Sequence, residues 1–436
     1  MNELKGDLPE GFKMTELGPL PEEWEVVRLG DVAEISSGGS APQGDEYFKG
    51  SKPFVRVSHI DNEDCVIKEY DLINDKAVQD YRLKLFPKGT IVFPKSGATI
   101  YLEKRAMLPI DAYVVSHLCT VLSKREDLSQ CFLFYVLRNL KFAKEKADGY
   151  PTLNISEIKQ IIFPLPPLPE QRKIAAILSA IQEAKEKTEA VISATRELKK
   201  SMMNYLFTYG PVPLPEAENV QLKETEIGMI PEEWEVVRLG DIFEFSRKPR
   251  NLEVNDDDLI PFIPMESISE ESQSIKFWEQ KKYSEISSGS FVFKNDIIIA
   301  KITPSFENGK QAILDSLPMD FGYATTEIWA LHPKNEQVIT QHLYNYIKIH
   351  SIRMDLAKKM EGSTGRQRLP RHVLENLLIP LPPLPTQQKI ASMLSAIDQK
   401  IEAEENKKKA LEDLFKTLLH NLMTAKIRVN SLEVGV

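Results

Sequence analysis

The side chains best suited to chemistry in this chain are basic, and they gather in one stretch. Between Lys348 and Arg371 there are seven Lys or Arg against two acids, and the stretch contains Ser363-Thr364-Gly365-Arg366-Gln367-Arg368. An arginine fork can grip a guanine edge with two hydrogen bonds, a glutamine amide can read adenine, and lysine chiefly anchors phosphate. Ser363, Thr364, Arg366, Gln367, Arg368 and Arg371 are therefore candidates for contacting DNA. The plainer alternative is a solvated helix end followed by a glycine turn.

Bond-making chemistry finds no comparable support. The chain has no Asn/Asp-Pro-Pro-Tyr/Phe run of an adenine methyltransferase and no glycine-rich cofactor loop after a strand. It lacks a GxxxxGK[ST] phosphate loop, and its seven histidines include no HExxH pair. His59, His117 and His332 read as core histidines with satisfied partners, and Asp256–Asp258 as a solvated acidic loop. No metal site, no cofactor and no catalytic activity are expected of this chain alone.

The elements that must position the basic residues are written twice. Pro21–Asp31 reads PEEWEVVRLGD, and Pro231–Asp241 repeats all eleven letters 210 positions later. Pro164–Ile181 (PLPPLPEQRKIAAILSAI) and Pro380–Ile397 (PLPPLPTQQKIASMLSAI) agree at fourteen of eighteen positions, at an offset of 216. Between these markers the two interiors differ. Each holds short β-like runs, such as Thr90–Phe93 and Ile297–Lys301, then a helical stretch, Leu128–Ala147 in the first and Gln337–Met360 in the second. After each proline block, apolar residues recur at helical spacing without a proline or glycine, from Glu170 to about Tyr209 and from Thr386 to about Met423.

These patterns predict an α+β protein with a pseudo-twofold internal repeat. Two mixed α/β domains are expected, separated by two long antiparallel helices forming a coiled coil. The expected segments are 1–163, the first domain with an N-terminal arm; 164–210, proline block and first helix; 211–379, linker and second domain; and 380–436, proline block, second helix and tail. The 436 residues, 42% hydrophobic, suffice for two cores. A net charge of −9 argues against a nonspecific polycation but leaves room for a local basic face. Three cysteines without CxxC spacing, no apolar run of membrane-spanning length and no signal-peptide core in MNELKGDLPEGFK lead to a cytoplasmic protein being expected.

WEVVRLGDV with an SSGG turn, FPLPPLPEQRKIAAILSAI, ENGK, and EGSTGRQRLP before the second PLPPLP block resemble the specificity subunit of type I restriction-modification enzymes. The resemblance covers nearly the whole chain, with both halves in family order. It implies that the divergent interiors are target recognition domains, each reading one half of a bipartite site in double-stranded DNA. The helices would be spacers that also dock two N6-adenine methyltransferase subunits, with restriction/translocase subunits joining the full enzyme. S-adenosylmethionine, ATP and Mg2+ would then belong to those partners. A coiled-coil adaptor with protein-binding terminal domains is the alternative.

The resemblance also nominates a loop in each interior. In the second, Lys301-Ile302-Thr303-Pro304 with Glu307-Asn308-Gly309-Lys310 is similar to the loop that reaches DNA in relatives, giving Lys301, Thr303, Asn308 and Lys310 as candidates. Its positional counterpart in the first is Lys95–Tyr101 with two following cations, giving Lys95, Ser96, Thr99, Tyr101, Lys104 and Arg105.

Overall fold

A computed structural model describes residues 8, 10–61, 64–142, 152–363 and 365–429. The chain divides into two compact units. One holds the chain up to Thr188 together with the part from Asn406 on, and the other holds Glu189–Glu405. Both helices predicted to be long are unbroken, over Leu168–Tyr209 and Leu384–Met423, and each contributes one part to each unit.

The described residues of the first unit form two four-stranded sheets. One runs Asp71–Ile73, Lys52–Val55, Ala112–Val114, Leu85–Phe86 in spatial order; the other runs Ala33–Ser37, Leu118–Ser123, Ile91–Pro94, Ala106–Met107. The second unit repeats this arrangement. Its sheets run Glu279–Lys282, Leu259–Ile263, Phe321–Ala324, Ser290–Phe293, and Phe243–Phe245, Ile328–Pro333, Ile297–Ala300, Gln311–Ile313. In each unit the first sheet holds one parallel pair among antiparallel ones, Phe54 beside Tyr113 and Phe262 beside Tyr323. Different letters thus build the same topology, because each interior keeps short β-branched and aromatic runs where its counterpart has them.

The repeated markers turn out to be structural partners. Glu25–Arg28 pairs antiparallel with Ile162–Leu165, and Glu235–Arg238 pairs with Leu378–Leu381 in the same register. The EVVR run of each half therefore pairs with the strand that leads into its proline block, and the two signatures close each domain. The repeat also begins earlier than the eleven-letter match, since Phe12–Thr15 with Gly18–Pro21 and Leu222–Thr225 with Gly228–Pro231 form equivalent hairpins. Gly18 and Gly228 turn at φ of 99° and 104°, a region costly to any side chain.

Each unit buries its own portion of both long helices. In the first, Ile174 and Leu178 share a core with Phe415, Leu419 and Leu422, and with Trp24 and Phe132–Leu137. In the second, Leu206 and Phe207 share one with Ile390 and Leu394. The start of one helix lies against the end of the other in both cases, which is the antiparallel pairing. Polar pairs add register in the second unit, where Lys199 meets Asp398 and Arg196 meets Glu405 at 2.7 Å.

Three expectations need adjustment. Pro169 and Pro385 lie inside their helices, in the first turn, where an amide proton would have no intrahelical acceptor anyway. The stretch 337–360 splits into Thr340–Lys348 and His350–Ala357, because Ile349 takes an extended ψ of 123°. The helix expected over 128–147 is Gln130–Asn139, and residues 143–151 lie outside the described ones.

Candidate nucleic-acid interface

In the second unit the fold joins the two nominated segments. The loop 301–310 links strands Ile297–Ala300 and Gln311–Ile313, whereas Glu361–Ser363 and Arg366–Arg368 form a separate hairpin turning at Gly365 (φ 80°). Thr303 donates its backbone N–H to the Gln367 carbonyl (3.1 Å), and Leu369 donates to the Lys301 carbonyl (2.7 Å). Ile302 and Arg368 are bridged as strand neighbours. Lys301, Thr303, Arg366, Gln367 and Arg368 thereby become one surface although some sixty positions separate the segments.

Acids and aromatic rings order this surface. Arg368 grips Glu327 through two bonds, Nε to Oε2 at 3.0 Å and Nη2 to Oε1 at 2.8 Å, and this contact holds the Glu327 carboxyl below its ordinary range. Lys301 Nζ lies 4.1 Å from the centre of the Trp329 ring, and partial burial lowers its pKa. Trp329 donates its indole N–H to the Leu369 carbonyl (2.9 Å) and meets Phe245 edge-on. Arg371 stacks over Phe245 at 4.3 Å and pairs with Glu375 at 2.7 Å. Such a plane of rings and guanidinium groups can stack on bases and exchange its carboxylates for phosphates.

Other nominated residues go elsewhere. Lys310 donates to the Met265 carbonyl (3.1 Å) and Asn308 to Glu270 Oε1 (3.2 Å), so both face the domain body instead of the hairpin. Thr303 donates its hydroxyl to Glu307 Oε1 (2.9 Å). Ser363 is exposed, and Thr364 lies outside the described residues.

The first unit's counterpart follows strand Ile91–Pro94, in the same place in its sheet. Ser96 shares a hydrogen bond with His117 Nδ1 (2.7 Å), and Thr99 donates to the Ser96 carbonyl (3.2 Å). Lys95 is half-buried and Tyr101 half-exposed on the same segment. Lys104 is tied to the Ile60 carbonyl (2.9 Å). Arg105 is a correction: its side chain is buried, donating to Glu103 and to the Leu140 carbonyl (2.8 Å) beneath the Phe142 ring at 4.5 Å. A guanidinium held this way braces the segment and cannot reach a groove.

His117 is a second correction. It is exposed at the bend between Ala112–Val114 and Leu118–Ser123, beside Ser96, and does not belong to the core. Glu327 and Trp329 were not nominated at all; a Trp beside acid in a strand facing a lysine loop gave no local signal. Among the described residues no cluster of His, Cys, Asp and Glu could hold a metal ion, and no helix is long and apolar enough to cross a membrane.

The fold defines a two-unit α+β protein in which one repeated scaffold carries two different interiors. The chain belongs to the type I restriction modification DNA specificity family, whose domain matches it twice, over 21–194 and 231–413. It is 27% identical over 453 residues to the type I restriction enzyme MjaVIII specificity subunit of Methanocaldococcus jannaschii, covering 97% of both chains. With the EcoAI specificity subunit of Escherichia coli it shares 35% identity over 216 residues, 48% of this chain and 36% of that one. Two solved structures have the same fold at a TM-score of 0.56 each. One is a type I restriction-modification S subunit from M. genitalium, at 16% identity and covering 92% of this chain and 96% of that one. The other comes from work on complex assembly and conformational transition of the type I R-M system, at 20% identity and covering 94% and 99%.

Proposed function

We propose that each unit reads one half of a bipartite duplex-DNA target, through the Lys301–Thr303 and Arg366–Arg368 surface in the second and the Lys95–Tyr101 segment in the first. The chain is the non-catalytic specificity subunit of its complex. Two methyltransferase subunits dock on the long helices, and restriction subunits join them. S-adenosylmethionine, ATP and Mg2+ act on those partners. The observation carrying this reading is the backbone pairing of loop 301–303 with hairpin 366–369, which gathers exposed Arg366 and Arg368 and half-buried Gln367 on a ring-lined surface. The repeated frame suits a DNA dyad, and the unlike interiors suit a target whose halves differ in sequence.

Profiling of methylated adenines tests the assignment. Arg366→Ala or Gln367→Leu should relax one half-site and leave the other intact; an unaltered motif would discard it. The helices are proposed to set the interval between half-sites. Inserting one turn into both, about four residues or ~5.4 Å, should lengthen the preferred gap by roughly 1–2 base pairs.

A further inference from the structure

The loop 301–310 has an underside that the reading above leaves unexplained. Its tip is internally wound, with Phe306 N–H donating to the Ile302 carbonyl (3.0 Å), Asn308 to Pro304 (3.0 Å) and Gly309 to Phe306 (2.9 Å). Phe306 is fully buried, so the tip is seated on the domain. Two basic side chains from the helices behind it hold its carbonyl oxygens. Arg353 donates Nη1 to the Phe306 carbonyl (2.7 Å) and Nη2 to the Gln311 side chain, with its guanidinium 5.1 Å from the Phe306 ring centre. Lys348 donates to the Gly309 carbonyl (2.9 Å) and to the Glu270 carbonyl. Gln311 is itself fixed, donating to the Tyr344 carbonyl at 2.7 Å.

The chemistry is unusual for a core. Arg353 is 3% exposed, and among the described residues neither it nor Lys348 forms an ion pair with a carboxylate. Burial lowers the Arg353 pKa to about 10, which leaves the guanidinium charged near neutrality, and lowers the Lys348 pKa to about 7, which leaves its amine only partly charged there. A buried cation without a carboxylate partner is costly to desolvate, and its hydrogen bonds to the Phe306 carbonyl and the Gln311 side chain offset that cost. Residues that break a local stability rule concentrate where geometry serves function. Here the geometry served is the placement of two carbonyls that set where the Thr303 side of the loop meets the hairpin.

The same underside is tied to the first long helix. Asn308 donates to Glu270, whose carbonyl receives Lys348, and the adjacent Glu271 receives Arg196 of that helix. Arg196 also pairs with Glu405 of the second long helix.

We infer that Arg353 and Lys348 are positioning residues for DNA reading, registering the second unit's loop against the helix pair without touching DNA. The inference rests on the proposed assignment of loop 301–310 and hairpin 361–368 to base reading. It adds a tier of specificity determinants that no exposed-residue survey would find.

The test uses the complete chain assembled with its methyltransferase subunits. Methylation rates are measured on the cognate site and on sites with one mismatch in either half. Arg353→Met should lower discrimination at the second unit's half-site about tenfold while the other half stays within about twofold. Thermal melting should fall only modestly, because the Phe306 carbonyl and the Gln311 side chain lose their donor while a buried charge is removed. Lys348→Met should act in the same direction, and Arg353→Lys, which keeps charge but not the fork, should recover only part of the loss. Unchanged discrimination in folded Arg353→Met and Lys348→Met would overturn the inference, as would equal losses in both halves with lowered melting. Should Arg353→Met fail to fold, the Lys348→Met result alone decides. Thr303→Val and Gln367→Leu run alongside: if they too leave both half-sites unchanged, the base-reading assignment itself is wrong.

Discussion

Gln171 and Gln387, 216 positions apart, make the same three hydrogen bonds. Gln171 donates to the Asp127 and Pro166 carbonyls (2.9 and 2.8 Å) and accepts from Ser129 N–H (2.9 Å). Gln387 donates to the Gln337 and Pro382 carbonyls (2.8 and 2.9 Å) and accepts from Ile339 N–H (3.1 Å). Both side chains are buried. Each locks the start of a long helix onto the loop before its domain's helix, which explains why this letter survives in both copies. Replacing either with Ala strands three backbone groups and should cost about 2–4 kcal/mol in the unit concerned. Urea unfolding followed through unit-specific probes, with Trp24 in the first unit and Trp234 in the second, should show one transition shifting and the other holding. A loss below ~0.5 kcal/mol would contradict this.

Glu327 neutralises part of the basic surface by pairing with Arg368, and on the proposed reading it guards that surface. Its carboxylate occupies the Arg368 fork that a phosphate or guanine would take. Glu327→Gln should therefore tighten nonspecific DNA binding several-fold and steepen its salt dependence by about one counterion. Arg368→Ala should do the opposite. Fluorescence anisotropy on nontarget duplex across a salt series reads both, and identical slopes for the two variants would refute the guard.

His342 predicts an acid-sensitive second unit. It is fully buried, donates Nε2–H to the Pro380 carbonyl at 2.7 Å, and burial lowers its pKa from the ordinary 6.5 to about 4. Above pH 6.5 the ring is neutral whether folded or not and titration contributes nothing. Between 6.5 and 4 the unfolded chain gains a proton that the folded one refuses, so stability falls, by up to about 3 kcal/mol. His342→Gln should flatten that slope even if it lowers stability at neutral pH. A parallel pH–stability curve for the variant would exclude this role.

The first unit is latched by Arg428. It donates Nε to Glu170 Oε1 (2.9 Å) and Nη2 to Oε2 (3.1 Å), and it also meets Glu23. Glu170 is buried and also receives the Trp24 indole N–H at 2.9 Å. Arg428→Ala leaves that carboxylate without its cation and should destabilise the first unit by roughly 2–4 kcal/mol. Glu170→Gln in the same background should restore part of the loss. A double-mutant cycle gives the coupling, and a coupling near zero would rule the latch out.

The repeat was legible because its letters encode local events. Trp24 and Trp234 are fully buried keystones, and the proline blocks stop one element and start the next by restricting backbone angles. Helical periodicity likewise exposed both long helices. The split of 337–360 at Ile349 was not legible, since an isoleucine carries no break signal. The earlier hairpins at Lys13 and Lys223 escaped because only part of their letters match.

From sequence alone came the duplication, the α+β character, the antiparallel helices and the neighbourhood of the basic segment, all carried by periodicity, turn chemistry and repeated spelling. Only the tertiary structure decided which cations face outward. Arg366 and Arg105 look alike in the sequence, but Arg105 has a carbonyl, an acid and a ring waiting for it inside, supplied by Leu140, Glu103 and Phe142. Arg353 likewise turns inward because Phe306 and Gln311 present acceptors from more than forty positions away. The direction of a long flexible side chain depends on partners brought by distant strands, and no local pattern records them.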